Sequence, residues 1–127
     1  MSRKHDDCGH LVRGAIALAT GHRRLEFNEE KEKVVRFTAA DTPACVIVKN
    51  KDKLVIWAKA DLKMSSQTRA IAMERRTVGF DRSGNPAIGK NAGLHANVAS
   101  WLDCQDLLSF NPQSLNDAWS VLEDITS

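Results

Sequence analysis

The sequence contains few cysteines and no long apolar run. Its three cysteines, Cys8, Cys45 and Cys104, are an odd number at wide spacings. This arrangement excludes the disulfide framework of a small secreted domain. No stretch approaches the ~18 apolar residues of a membrane-spanning helix. The charged start, Met1 to Asp7, does not have the pattern of a secretory signal. We therefore expect a soluble cytoplasmic protein that makes no membrane contact.

Residue patterns that hold a metal or a cofactor are also scarce. The segment from His5 to His10 collects potential metal ligands, but its H-x-x-C-x-H spacing matches none of the usual zinc patterns. A second pair of ligands is not evident elsewhere in the chain. The sequence therefore predicts no metal and no cofactor.

One segment, Gly84 to Asn91, has the G-x-x-x-x-G-K spacing of a phosphate-binding loop. Asn91 stands where that loop needs a serine or threonine for Mg²⁺, and the remaining chain is too short for the parallel sheet of such a domain. We interpret the segment as a turn that leads into a helix. Gly89, Lys90 and Asn91 would then form a generic anion site at a helix N-terminus.

Positive charge is absent from the last part of the chain. All 18 lysines and arginines lie in residues 1–90, together with 11 of the 16 acidic residues. Residues 91–127 contain the other five acidic residues, so the two parts carry +7 and −5 although the whole chain carries only +2. Such asymmetry is one indication of a nucleic-acid or acidic partner, although an acidic helix in water gives the same pattern.

The size and composition favour one compact domain that spans residues 1–127. Hydrophobic residues make up 43% and charged residues 27% of the chain, which is ordinary for a globular protein. A helix is predicted at 7–20, capped by Asp6 or Asp7 and followed by a left-handed Gly21. The next elements are expected as strands at 25–27 and 34–38, a charged loop at 28–33 and a turn at 39–43.

The strongest secondary-structure signal is a β-hairpin at residues 45–58. Two runs rich in β-branched residues, Cys45 to Val48 and Leu54 to Ala58, flank the polar segment Lys49 to Lys53. Both runs are apolar at consecutive positions, which predicts a strand pair covered on both faces in the middle of a sheet. We also expect Trp57 in the core.

The C-terminal half predicts two helices separated by a short strand. One helix is expected at 91–103, and the other, at 112–125, begins at Asn111-Pro112 and repeats apolar residues at helical spacing. Trp101 and Trp119 lie on the apolar faces and are expected in the core. The strand is expected at 107–110. Residues 65–76 fit either a short helix capped by Ser65 or Ser66, or a strand. Residues 77–81 are predicted to be extended and 82–86 to form a tight turn.

Together these elements predict an α+β fold. The expected domain has an N-terminal helix, a central mostly antiparallel sheet built around the 45–58 hairpin, and two C-terminal helices packed on that sheet.

The densest functional signal is a basic stretch from Lys59 to Lys90. Its arginines favour bidentate contacts with phosphate, and neighbouring serine, threonine and asparagine side chains can add hydrogen bonds. The leading hypothesis is a non-catalytic module that binds DNA or RNA through its phosphates, although a charge cluster of this density is also common on a solvated face. Trp57 and Phe80 could stack on bases, but core packing is the better interpretation. The candidate binding residues are Arg69, Arg75, Arg76, Arg82, Lys90, Asn91, Lys49, Lys51 and Lys53.

Two other classes of function stay open. A protein-interaction module, such as an inhibitor, immunity or adaptor protein, is permitted by the small size and the acidic C-terminal part. A nuclease is the third class, because Asp41 and the triplet Asp61-Leu62-Lys63 resemble a metal-dependent acid-x-Lys arrangement. A metal-free ribonuclease would need a base, an acid and a cation for the phosphate. The residues that could supply them are His22, Arg23, Arg24, Lys49, Arg69 and Arg75.

Overall fold

Six strands of the chain form one antiparallel sheet. The computed structural model describes residues 3–31, 34–49, 53–77, 79–80, 86–87, 100–102 and 106–127. The helices are α1 (Arg3–Gly21), α2 (Ser66–Arg69), α3 (Ser100–Leu102) and α4 (Leu115–Ile125). The strands are β1 (Glu26–Lys31), β2 (Val34–Ala39), β3 (Thr42–Val48), β4 (Val55–Lys59), β5 (Met73–Thr77), β6 (Gly79–Phe80), β7 (Pro86–Ala87) and β8 (Asp106–Phe110).

The strand order places the predicted hairpin in the middle of the sheet. The order is β1-β2-β3-β4-β8-β5, and β6 pairs separately with β7. Within the hairpin Cys45 lies opposite Ala58 and Ile47 opposite Ile56. The fold is therefore the α+β domain that the sequence predicts, with an N-terminal helix, an antiparallel sheet and C-terminal helices.

Apolar clusters cover both faces of this sheet. On one face, which we call the helix face, Ile47, Ile56 and Phe110 pack against residues of α1 and α4. On the other face Val46 and Trp57 pack against Leu102 of α3. Successive residues of a strand point to opposite faces, so a strand covered on both sides needs apolar residues at consecutive positions. This confirms the prediction for the hairpin and the burial of Trp57.

Two expectations about the N-terminal part are wrong. The predicted loop at 28–33 is largely strand, because β1 continues to Lys31 with a bulge between Phe27 and Glu29. Charged residues suit this position, since β1 pairs only with β2 among the described strands and edge strands tolerate charge. Gly21 ends α1 without the left-handed backbone that was expected, and the N–H of His22 donates to the carbonyl of Ala19 at 3.2 Å instead.

The turn predicted at 39–43 is shorter in the structure and consists of two residues, Ala40 and Asp41. Both have positive φ, 52° and 65°. Hairpins favour such a turn because its twist matches that of the strands, although asparagine and glycine suit it better than alanine. The turn and the end of β4 lie at the same end of the sheet.

Residues 65–76 contain both of the structures that the sequence left open. Ser65 caps α2, its Oγ accepting a hydrogen bond from the N–H of Thr68, and β5 follows from Met73. The last helix starts later than predicted, because Ser114 rather than Asn111 caps it. Trp119 is 40% exposed, so its predicted place in the core is wrong. Trp101 is partly buried, and residues 91–99 and the side chain of Phe80 lie outside the described part.

No helix within the described ranges is long and apolar enough to cross a membrane.

Candidate nucleic-acid interface

Asn111 holds two distant segments together at one end of the sheet. Its backbone N–H donates to the carbonyl of Ala72 at 2.8 Å, and its side-chain Nδ2 donates to the carbonyl of Leu54 at 2.9 Å. The first carbonyl belongs to the segment between α2 and β5, and the second to the start of β4. We call this end, where β3 ends and β4 begins, the hairpin end of the sheet.

Two cations of the predicted site, Lys53 and Arg69, precede the segments that Asn111 bonds and form no ion pair within the described residues. Lys53 directly precedes Leu54, and Arg69 ends α2 three residues before Ala72. Both residues are exposed, and no side-chain hydrogen bond or ion pair involves either within the part of the chain that the structure describes. Their charges are therefore available to an anionic ligand.

Two further predicted residues, Lys49 and Arg75, are paired with carboxylates. Lys49 contacts Glu30 across the sheet, and Arg75 lies 3.3 Å from Asp106. The side chain of Arg75 is 66% exposed. Exposed ion pairs of this kind contribute about 0–1 kcal/mol, so a phosphate can replace the carboxylate, but with a smaller electrostatic gain than at an unpaired cation.

The register of β5 separates Arg75 from Arg76. Arg75 lies opposite Leu108, which belongs to the core of the helix face. Position 76 lies opposite Leu107, which belongs to the core of the other face. Positions 75 and 76 therefore belong to different faces of the sheet. Lys51, Arg82, Lys90, Asn91 and the side chain of Arg76 lie outside the described part, so the predictions for them stay predictions.

His22 lies at the end of the sheet opposite the hairpin end, and both of its ring nitrogens form hydrogen bonds. It is 4% exposed, and its Nδ1 accepts a hydrogen bond from the N–H of Arg24 at 3.1 Å. Its Nε2 lies 2.7 Å from the carboxylate of Glu123, so the matching tautomer carries the proton on Nε2 and donates it there. Both ring nitrogens are occupied, which removes support for His22 as the base of a metal-free ribonuclease.

A cavity of about 320 Å³ lies beside His22. The exposed ring of Trp119 stacks at a tilt on the imidazole, with 5.0 Å between ring centroids. The cavity mixes two arginines with two carboxylates and so has no single sign of charge. Its lining residues are His22, Arg23, Arg24, Trp119, Glu123, Asp124 and Ser127.

The residues of the nuclease hypothesis lie at this same opposite end. Asp41 is exposed in the turn between β2 and β3, and Asp61 follows the end of β4. The Asp61 to Lys63 triplet therefore lies in a connection rather than on a strand. The described residues contain no group of three or more histidine, cysteine or acidic side chains that could hold a metal ion.

The burial of Arg36 and the bonds formed by Asn111 were not evident from the sequence. Arg36 is 8% exposed, pairs with Glu29 at 3.2 Å and lies 5.4 Å from the ring centre of Trp101. Asn111 was expected only to cap a helix. These contacts join residues far apart in the chain, and no local pattern signals them.

Comparison with protein-family models, with curated proteins and with solved structures finds no significant match.

The burial of Cys45 determines the reactivity of its thiol. The thiol is fully enclosed in the core of the helix face, and this burial raises the pKa of Cys45 to about 12. A thiolate nucleophile or metal ligand is therefore excluded at this position. In the unfolded chain the thiol loses its proton near pH 9, so above that pH the unfolded state binds fewer protons than the folded state. Stability must then fall as the pH rises.

We expect the Cys45 thiol to lower the free energy of unfolding by about 1 kcal/mol for each pH unit between about pH 9 and pH 11. Urea unfolding of the wild-type chain and of a Cys45→Ala variant across this range isolates the effect, because Cys8 and Cys104 are present in both. The stability advantage of wild type over the variant should shrink as the pH rises. An advantage that stays constant would contradict the prediction.

Proposed function

We propose that the chain binds nucleic acid without catalysis, through phosphate contacts made by lysines and arginines at the hairpin end. The observation that supports this most directly is the bridge formed by Asn111. By bonding both Ala72 and Leu54 it holds the segment that follows Arg69 beside the segment that follows Lys53, although the two are far apart in sequence.

The charges around this bridge favour an anionic ligand. Lys53 and Arg69 carry positive charge that no carboxylate of the described part neutralises. Lys49 adds a cation whose partner, Glu30, is half exposed and can be exchanged for phosphate. Arg75 lies farther along the sheet, toward the end where β4 ends, and its partner Asp106 is half exposed as well. Contacts with phosphate position a protein on nucleic acid but do not read its sequence. We therefore propose binding with little sequence preference.

The proposal predicts a change in the salt dependence of binding. Each phosphate that a cation neutralises in duplex DNA contributes roughly 0.9 to the slope of log affinity against log salt concentration. Combining Lys53→Ala with Arg69→Ala should therefore reduce the slope by about two units and weaken binding most at low salt. Fluorescence anisotropy of labelled single- and double-stranded oligonucleotides, over a series of salt concentrations, measures both quantities.

A matched control removes two positive charges at the opposite end of the sheet. Arg23→Ala combined with Lys63→Ala gives the same net charge, so a general effect of charge would weaken binding equally in both double variants. We expect the control to keep the wild-type slope. Absence of binding at low salt, or equal losses in the two variants, would overturn the proposal.

The same oligonucleotides test whether the chain cuts them. Incubation with Mg²⁺ should leave DNA and RNA intact. Cutting that needs Mg²⁺ and disappears in Asp61→Ala would replace the binding proposal with the nuclease hypothesis.

A further inference from the structure

The cavity beside His22 has the size of a small-molecule site. Its volume of about 320 Å³ lies at the lower end of the roughly 300–1,000 Å³ that ligand pockets span. One wall is the ring of Trp119, which is 40% exposed and packs at a tilt on the imidazole. Because this packing fixes its orientation, the indole offers a flat apolar surface on which an aromatic group can stack.

Side chains of both charges line the same cavity, and each has bonding capacity left. Arg23 forms no hydrogen bond or ion pair with any part of the chain that the structure describes. Glu123 binds His22 through Oε2 alone, and Asp124 accepts the N–H of Ser65 at 2.7 Å through Oδ2 alone. The second oxygen of each carboxylate is therefore not used by the described residues.

The bonds already formed hold these carboxylates in place. Glu123 is tied to the connection after α1, and Asp124 to the residue that caps α2. Arg24 is tied as well, since its guanidinium donates to the carbonyl of Thr126 at 3.3 Å. Groups that are fixed before a ligand arrives lose little conformational entropy on binding. The cavity therefore combines a preorganised pair of acceptors with the guanidinium of Arg23.

We propose that this cavity binds a free aromatic α-amino acid. A ligand of one charge would be attracted by one set of lining groups and repelled by the other, whereas an α-amino acid carries both charges. Its ring stacks on Trp119. Its α-carboxylate accepts two hydrogen bonds from the guanidinium of Arg23, and its α-ammonium donates to the unused oxygens of Glu123 and Asp124. Each group of the ligand then meets a complementary group of the cavity.

Isothermal titration calorimetry with L-phenylalanine and two analogues tests this assignment. Hydrocinnamate keeps the ring and the carboxylate but lacks the ammonium, and phenethylamine lacks the carboxylate. We expect phenylalanine to bind with a Kd below about 1 mM and each analogue to bind at least about tenfold more weakly, because each analogue leaves one set of charges unpaired. Absence of phenylalanine binding at about 10 mM, or an analogue that binds as tightly, would overturn the proposal.

Two variants and a control separate the contacts. Arg23→Gln should weaken phenylalanine binding at least about tenfold but should not weaken the binding of phenethylamine, because only the amino acid presents a carboxylate to that position. Trp119→Leu should weaken both, and Lys63→Gln, which removes a charge outside the cavity, should weaken neither. Circular dichroism shows whether each variant folds. An Arg23→Gln variant that binds phenylalanine as wild type does would also contradict the proposal. The hairpin end contributes nothing to this cavity, so the outcome is independent of nucleic-acid binding.

Discussion

Replacing His22 with alanine should lower the free energy of unfolding by about 3 kcal/mol, because the change removes a buried polar group that joins the connection after α1 to α4. The imidazole accepts from the N–H of Arg24, donates to Glu123 of α4 and packs against Trp119. A hydrogen bond to a charged group contributes roughly 1.5–3 kcal/mol, and loss of the ring leaves a space against the indole. Urea unfolding at fixed pH measures the change.

Glu123→Gln is the matched control for this prediction. The amide oxygen of glutamine can still accept the Nε2–H of His22, and the Glu123 side chain is half exposed, so the loss should stay below about 1 kcal/mol. A His22→Ala variant that loses less than about 1 kcal/mol would show that these contacts of the imidazole contribute little to stability and would contradict the prediction.

The hairpin could be predicted from the sequence because its signals are local. Consecutive β-branched residues on both sides of a polar turn predict paired strands covered on both faces, and the structure has this arrangement. Ser65 could be identified as a candidate cap of α2 for the same reason, since its Oγ and the N–H of Thr68 that donates to it lie within one turn.

The strand order could not be predicted in this way. β8 inserts between β4 and β5, which are closer to each other in sequence than either is to β8. The bonds of a sheet connect backbone groups, and every residue except proline carries the same donor and acceptor. Apolar patterning indicates that a strand is buried, but it does not indicate which strand is its neighbour.

The exposure of Trp119 was missed for a related reason. Helical spacing identifies the apolar face of α4. How much of that face is buried, however, depends on where α1 packs against it. Because Gly14 has no side chain, α1 approaches α4 closely at Leu115, and the outer edge of the apolar face of α4 remains exposed to solvent. The candidate site shows the same limit, because the bridge from Asn111 joins segments whose proximity only the folded chain reveals.

Replacing Arg36 with alanine is expected to lower the free energy of unfolding by about 2–3 kcal/mol, since the side chain is enclosed between a carboxylate and an aromatic ring. Its guanidinium pairs with Glu29 and lies over Trp101, which links β2 to α3 on the face of the sheet opposite α1 and α4. Glu29 is 43% exposed, so water compensates part of the lost ion pair and the cost should not reach that of a fully buried pair.

Two further variants separate the packing of Arg36 from its charge. Arg36→Met keeps an apolar stem of similar length, so it should lose about half as much stability as Arg36→Ala. A double-mutant cycle with Trp101→Leu should give a coupling of about 1 kcal/mol if the guanidinium and the indole attract each other. Chemical unfolding of the four chains of the cycle at one pH measures this coupling. Additive losses would show that Arg36 stabilises β2 without acting on Trp101, and the contact between sheet and α3 would then depend on Leu102 and its apolar neighbours alone.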